Sequence, residues 1–283
     1  MKIAFLGYGE AARAFHEGLS RPGLSFVAYD ILLERGDEAM RTAMLQRGAE
    51  VADLAALGDA DWIFSAVTAD QSFLAVEPLL PHLRQGQLLI DINSVSPDRK
   101  RETAAAVEAT GAIYLDMAVM APVHPRGHAT PVLLAGTEAG RLLPELSALG
   151  FSASIAGAEP GAATAIKMVR SLFVKGLEAI TVETLLAARA SGCFEEIVAS
   201  LSASFPGLGW PHFAEYQMER TTRHGKRRAA EMRESAATLD ALGLRGGLAS
   251  EIAEVQERMG ACGVGPDASL GDTVARALGM RLG

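Results

Sequence analysis

The sequence predicts an α/β protein in which a doubly wound parallel sheet, residues 1–158, is followed by an all-helical second domain, residues 159–283. Three observations carry this expectation. Short apolar runs alternate with helix-period segments through the first half, which is the pattern of βαβ units. The runs are apolar throughout, as in strands covered on both faces. After a last run at 151–157 the alternation stops, and only long helical segments follow, punctuated by Ser191-Gly192, Pro206-Gly207, Gly225, Gly243 and Gly246-Gly247. The other expected strands lie at residues 2–7, 25–30, 61–67, 87–94, 112–119 and 131–136, and helices between them at 10–19, 37–46, 70–83 and 97–109. Ser96-Pro97-Asp98 reads as a helix start: a hydroxyl cap, proline at the first helical position and an acid in the first turn.

Composition narrows the function classes. The 283 residues suit two domains, at roughly 150 residues per domain. With 49% hydrophobic residues and only two cysteines, Cys193 and Cys262, disorder, a disulfide framework and a cysteine-rich metal site are excluded. No stretch approaches the roughly 18 apolar residues of a membrane span, and the apolar run before Gly7 is too short for a secretory signal. The expectation is a cytoplasmic chain without a membrane. A net charge of −8 argues against nucleic-acid binding, which needs a positive field.

Gly7-Tyr8-Gly9-Glu10-Ala11-Ala12 follows the first strand and opens the first helix. Gly7 permits the tight turn, Gly9 lets backbone approach a pyrophosphate, and Ala12 keeps helix and strand close. The N–H groups of Gly9, Glu10 and Ala11 stand at the positive end of the helix dipole. This context makes the sheet Rossmann-type. Asp30, ending the second strand, can accept from ribose hydroxyls and would repel a 2′-phosphate, so NAD is the expected cofactor, with NADP possible. The bland alternative is an ordinary βα turn with an acidic helix cap.

Residues 161–190 read as one helix, apolar nearly all round and therefore expected to be buried, yet carrying Lys167, Arg170, Lys175 and Glu178. Lys167, Arg170 or Ser171, Val174 or Lys175, and Glu178 share one stripe. A lysine can serve as acid–base catalyst if its pKa falls from about 10.4 towards 7–8. Partial burial and the neighbouring Arg170 would both push Lys167 that way. Alternatively, Lys167 and Lys175 pair with Glu178 structurally or reach to the surface.

The glycine loop, Asp91-Ile92-Asn93-Ser94-Val95-Ser96-Pro97, Asp116-Met117-Ala118-Val119 and Gly161-Ala162-Ala163-Thr164-Ala165-Ile166-Lys167-Met168-Val169 occur in a familiar order. With them the chain resembles the β-hydroxyacid dehydrogenase superfamily, which includes 3-hydroxyisobutyrate and 6-phosphogluconate dehydrogenases. It looks nearest to a bacterial phosphogluconate-dehydrogenase-like branch. The resemblance implies that Gly7, Gly9 and Ala12 line the pyrophosphate, Asp30 the ribose, and that Val67 and Thr68 pass beside the cofactor. Asn93 and Ser94 would lie near the nicotinamide. Lys167 matches the family's catalytic lysine, with Ser94 and Ser171 orienting the substrate.

The sequence departs from the family twice. Met120-Ala121-Pro122 stands where the family has Ser-Gly-Gly, whose backbone holds the substrate carboxylate. Ser171 stands where the family has asparagine, and a hydroxyl lacks the amide's second donor. Met120, Ala121, Pro122, Arg170 and Ser171 are the expected substrate-binding positions.

The expected function is hydride transfer between nicotinamide and a small hydroxy acid. Oxidative decarboxylation of a sugar acid, imine or carbonyl reduction, and a non-catalytic nicotinamide-binding regulator stay open. A homodimer or higher even oligomer is expected, with an acidic small-molecule substrate and no metal. Two further segments have alternative readings. The His124-Pro125-Arg126-Gly127-His128 loop is solvated or supplies anion contacts. Arg220, Arg223, His224, Lys226, Arg227 and Arg228 form an ion-paired face with Glu231 and Glu234, or an anion-attracting surface. His212 and Tyr216 are expected to pack in the core or an interface.

Overall fold

The computed structural model describes residues 1–263, 265 and 269–282, in two compact units, Met1–Lys167 and Met168–Gly283. The first unit contains β1 (Lys2–Leu6), α1 (Glu10–Leu19), β2 (Ser25–Tyr29), α2 (Glu38–Gln46), β3 (Ala49–Val51), β4 (Trp62–Ser65) and α3 (Ser72–Val76). It continues through β5 (Leu88–Asp91), α4 (Pro97–Glu108), β6 (Ile113–Val119), β7 (Val132–Ala135), α5 (Ala139–Ala148) and β8 (Ala153–Gly157). The strands form one sheet in the order β3-β2-β1-β4-β5-β6-β7-β8. Every pairing is parallel except that of β6 with β7.

The uniformly apolar strands follow from burial on both faces. Ile3 and Phe5 of β1 join one core with Phe15, Phe26 and Phe64, whereas Ala4 and Leu6 join another with Val27, Ile63 and Leu89. Each large apolar side chain so buried contributes about 1.5–3 kcal/mol by leaving water.

Two local expectations are corrected. The segment read as one helix over 70–83 is a single short α-helix, α3, flanked by 3-10 turns at Ala69–Gln71 and Glu77–His82. Pro78 and Pro81 account for this, since proline supplies no N–H and collides with the preceding turn. The short strand β3 was not expected, because Ala49-Glu50-Val51 is too brief to show a period. Ser96 does sit at the N-cap of α4, but its side chain makes no cap bond.

The boundary expected near residue 158 falls instead at Lys167, inside the long helix α6 (Ala162–Ala190). The second unit comprises the rest of α6, α7 (Phe194–Ser204), α8 (His212–Ala241), α9 (Gly247–Ala261) and α10 (Leu270–Leu282). No strand occurs after β8 among the described residues. α8 and α9 touch backbone to backbone at Gly225 and Gly260. A Cβ on Gly225 would lie 2.2 Å from the Gln256 carbonyl oxygen, and one on Gly260 2.5 Å from the Lys226 nitrogen.

The apolar helix is not buried all round. Ile166, Val169, Phe173 and Ile180 of α6 are exposed, because only one side of α6 faces its own unit's core. His212 and Tyr216 are exposed too, so of their two expected roles, core or interface, packing in the chain's own core is corrected. His212 contacts Glu215 at 2.9 Å, and the Arg220 guanidinium lies over the Tyr216 ring. No helix among the described residues is long and apolar enough to cross a membrane.

Candidate active site

The strand order reverses at the β1–β4 junction, the place where open α/β sheets bind ligands beyond the carboxyl ends of their strands. Gly7 leaves β1 with φ +85°, and a Cβ there would lie 2.6 Å from both the Ala66 carbonyl oxygen and Val67 Cγ1. Only glycine permits that conformation and that approach. Gly9 is the N-cap of α1, without a side-chain cap bond, and a Cβ on it would meet nothing within 4 Å. The helix therefore presents its uncapped N–H groups from an exposed turn, with Glu10 exposed, Ala11 half-buried and Ala12 fully buried against the strand. That open, uncapped cradle fits a pyrophosphate.

Asp30 holds the loop from beside it. One carboxylate oxygen accepts the Tyr8 N–H at 2.8 Å and the other the Leu32 N–H at 3.0 Å. Arg13 Nε donates to the Tyr8 carbonyl at 2.9 Å. The Tyr8 ring is buried below the loop, and its hydroxyl shares a hydrogen bond with His16 Nδ1. Burial raises the Tyr8 pKa to about 12, with Arg47 and Arg13 opposing. Burial lowers that of His16 to about 4, helped by Arg47, so the pair is neutral at pH 7.

The ends of β4 and β5 are tied by one side chain. Asn93 Oδ1 accepts the Val67 N–H at 2.7 Å, and its amide donates to Ser65 Oγ at 2.9 Å. Thr68, next along, is exposed. Ser94, which follows Asn93, accepts from Lys167 Nζ at 2.6 Å. Lys167 is brought there by the start of α6. Asp116 at the centre of β6 accepts the Gly161 and Thr164 N–H groups through one oxygen, both at 3.1 Å, and Thr164 Oγ1 donates to the Val95 carbonyl at 2.7 Å. The first unit thus contains both members of the Ser94–Lys167 pair, although the sequence reading assigned Lys167 to the helical domain.

Beneath this pair lies a cluster that the sequence reading missed. Lys100, Asp91 and Asp116 are all 0% exposed. Lys100 Nζ donates to Asp91 Oδ1 at 2.9 Å and to the Asp91 carbonyl at 2.7 Å, and lies 3.3 Å from Asp116 Oδ1. That Asp116 oxygen has no donor in hydrogen-bonding geometry, so the nearby ammonium charge is what offsets its burial. The Tyr114 hydroxyl donates to Asp91 Oδ2 at 2.7 Å, and burial, then the two aspartates, push its pKa well up. The available sequence signal was periodicity: Lys100 falls on the stripe of α4 that buries Pro97, Ala104 and Val107.

The altered substrate motif is partly occupied by the fold. The Met120 N–H donates to the Pro131 carbonyl at 3.0 Å, and Pro122 has no N–H to offer. Ala121 and Pro122 are exposed. In the neighbouring loop His124 and Arg126 are exposed, while His128 Nε2 contacts the Leu149 carbonyl at 3.1 Å. Among the described residues no cluster could hold a metal ion.

In the second unit Arg170 is exposed and Ser171 is buried, its hydroxyl accepting from Lys175 Nζ at 3.1 Å. Of the alternatives for Lys175, pairing with Glu178 or reaching the surface, neither is seen: Lys175 is buried and pairs with Glu231 at 2.7 Å, and Glu178 pairs with Arg228. Burial lowers the Lys175 pKa, with Glu231 opposing. The basic run is split by burial. Arg228 is 6% exposed and Arg223 is on the surface beside Glu219, while Arg227 reaches Glu231 as the i,i+4 reading expected.

The strand order, the glycine loop at its reversal point and Asp30 after β2 together define a nicotinamide-dinucleotide-binding domain. The chain belongs to the family described as the NAD binding domain of 6-phosphogluconate dehydrogenase, which matches residues 2–149. Residues 188–259 match a domain of unknown function, DUF1932. A conserved hypothetical protein of Sinorhizobium meliloti has a solved structure with TM-score 0.76 and 33% identity, covering 99% of this chain and 96% of that one. The NAD-dependent L-serine dehydrogenase of Pseudomonas aeruginosa is 24% identical over 218 residues, 74% of this chain and 71% of that enzyme. Human mitochondrial 3-hydroxyisobutyrate dehydrogenase is 25% identical over 119 residues, so the match spans 41% of this chain and 35% of that enzyme. The resemblance to the β-hydroxyacid dehydrogenase superfamily is borne out, as is the expected α/β fold with its helical second part.

Proposed function

We propose that the protein is an NAD-dependent dehydrogenase of small hydroxy acids, with Lys167 as its acid–base group. The observation that carries the reading is the 2.6 Å contact of Lys167 Nζ with Ser94 Oγ just beyond β5, on a domain whose glycine loop fits a dinucleotide. A bound nicotinamide would supply hydride exchange with the substrate's carbinol carbon. In oxidation Lys167 Nζ takes the hydroxyl proton, and in reduction it returns one. Ser94 Oγ, already a partner of that nitrogen, orients the hydroxyl within proton-transfer distance. Gly7, Gly9, Glu10, Ala11 and Ala12 form the pyrophosphate turn, Asn93 and Val67 fix the floor beside the nicotinamide, and Asp30 favours NAD over NADP by its charge.

The names of the relatives suggest L-serine and 3-hydroxyisobutyrate as first substrates to try. With Met120 N–H engaged and Pro122 lacking one, the carboxylate contact differs from the family's. Arg170 and Ser171 are proposed for it, although the Ser171 hydroxyl already serves Lys175. A cytoplasmic homodimer belongs to the same proposal, its second copy covering Val169, Phe173 and Ile180 of α6, which sedimentation of the wild type against Phe173→Glu checks.

The experiment is NADH fluorescence titration beside turnover of both hydroxy acids with NAD. Lys167→Ala is expected to bind NADH as wild type does and to lose 10²-fold or more in kcat, about the contribution of one general acid–base group. Full turnover in that variant would overturn the assignment, and a clear NADPH preference would overturn the role of Asp30.

A further inference from the structure

We propose that Lys100 is a positioning residue for Ser94 and Lys167: its ammonium fastens Asp91 and Asp116 together and thereby sets the contact between the two side chains above. A closed circuit of contacts within the first unit joins these side chains. From Lys100 Nζ one arm runs to Asp91, whose Oδ1 also accepts the Asn93 N–H at 2.8 Å, and so to Ser94. The other arm runs to Asp116, which caps the first turn of α6 at Gly161 and Thr164, and so to Lys167. The arms meet where Lys167 donates to Ser94, and Thr164 Oγ1 braces them by donating to the Val95 carbonyl.

Each carboxylate in the circuit bonds backbone N–H groups of a turn rather than another side chain alone. Moving either one therefore moves main chain, and with it Ser94 or Lys167. A fully buried lysine is costly unless it is paired, and an apolar side chain at this position could pack without holding two carboxylates. The charge is what the geometry uses: without it, Asp91 and Asp116 would face one another unbalanced and repel. Gly161 shows how tightly the helix start is seated, since a Cβ there would lie 2.9 Å from the Pro97 carbonyl oxygen of α4, the helix that carries Lys100.

The inference rests on the reading of Lys167 as the acid–base group, so its test must not depend on turnover. The readout is acetylation of Lys167 by acetic anhydride, followed by peptide mass spectrometry and expressed relative to the exposed Lys226 across alkaline pH. Ser94→Ala sets the value for a Lys167 that has lost its contact with Ser94. Lys100→Met is expected to raise the Lys167:Lys226 ratio towards that value, by about fivefold, as loss of one hydrogen bond predicts. Because Lys100→Met leaves two buried carboxylates uncompensated and can unfold the chain, Thr164→Val supplies a second arm that keeps every charge. It is expected to raise the ratio in the same direction, with Thr164→Ser restoring it. A folded Lys100→Met or Thr164→Val that melts lower but keeps the wild-type ratio would reduce the cluster to a structural role and overturn the proposal. Activity on L-serine and 3-hydroxyisobutyrate separates the two readings. If the ratio responds while neither compound is oxidised, the positioning stands and the dehydrogenase reading loses its support.

Discussion

Each unit buries ions, and the two do so differently. In the first, Lys100, Asp91 and Asp116 bond mainly to main-chain groups: the Asp91 carbonyl and the N–H groups of Asn93, Gly161 and Thr164. In the second, Glu178 of α6 meets Arg228 of α8 and Gln256 of α9, side chain to side chain, with Gln256 Nε2 at 2.8 Å. The first arrangement fixes the path of turns that carry candidate catalytic groups. The second fixes which faces of three helices meet. Desolvation offsets much of the attraction in both, so neither is a simple source of stability. Their value is in what they specify, and removing one partner exposes the full cost of the other.

The largest effect follows from that last point. Glu178→Ala leaves the Arg228 guanidinium buried without its carboxylate, and a loss of about 3–5 kcal/mol is expected in urea unfolding. Adding Arg228→Met should recover a large part of it, since an apolar side chain of similar length needs no partner. If the single and double variants were equally unstable, the loss would not come from the unpaired Arg228 guanidinium, and the reading of this pair as a buried charge needing its partner would fail. NADH affinity of folded Glu178→Ala should stay near wild type, in contrast to substitutions around the glycine loop.

The next effect belongs to the first unit. His16 titrates at about 4 when folded and near 6.5 unfolded. Between those values the unfolded chain binds the extra proton, so this group's contribution is fully present above pH 6.5 and lost as pH falls towards 4. The loss is on the order of 3 kcal/mol at pH 4. His16→Gln, which keeps an acceptor for the Tyr8 hydroxyl, should flatten that part of the profile. Urea midpoints of both proteins at pH 7 and pH 4.5 measure the difference; parallel profiles would show that His16 is protonated without penalty.

Much of this is legible in the sequence. Alternating apolar runs gave the sheet, and Gly7, Gly9 and Asp30 marked the dinucleotide turn by their spacing, Gly7 at a position that only glycine can occupy. Lys100 was illegible for the opposite reason. It stands in Arg99-Lys100-Arg101, a basic triplet that reads as solvated, and only the helix period places its ammonium inward. The partners of Lys175 and Glu178 were equally hidden, since Glu231 and Arg228 are distant in sequence and the neighbouring glutamate was the nearer candidate. The 3-10 turns before β5 were readable in principle, because Pro78 and Pro81 stood in the proposed helix. Met120 and Pro122 flagged a changed substrate contact, but that the Met120 N–H is spent on Pro131 required the β6–β7 pairing.

The smallest expected effect is the sharpest control on the comparison. Arg223 and Arg228 lie in the same basic run of α8, yet Arg223 meets Glu219 on the surface at 3.4 Å whereas Arg228 is buried against Glu178. An exposed i,i+4 pair is worth about 0.3–0.5 kcal/mol and is screened by salt. Arg223→Ala should therefore lower stability by no more than that, and by less still in concentrated salt. Arg228→Ala should cost several kcal/mol, because it leaves the Glu178 carboxylate buried, and salt should barely change the figure. If the two substitutions proved equal, the run would act through its summed charge, and the distinction between buried and surface ions drawn for the helical unit would fail.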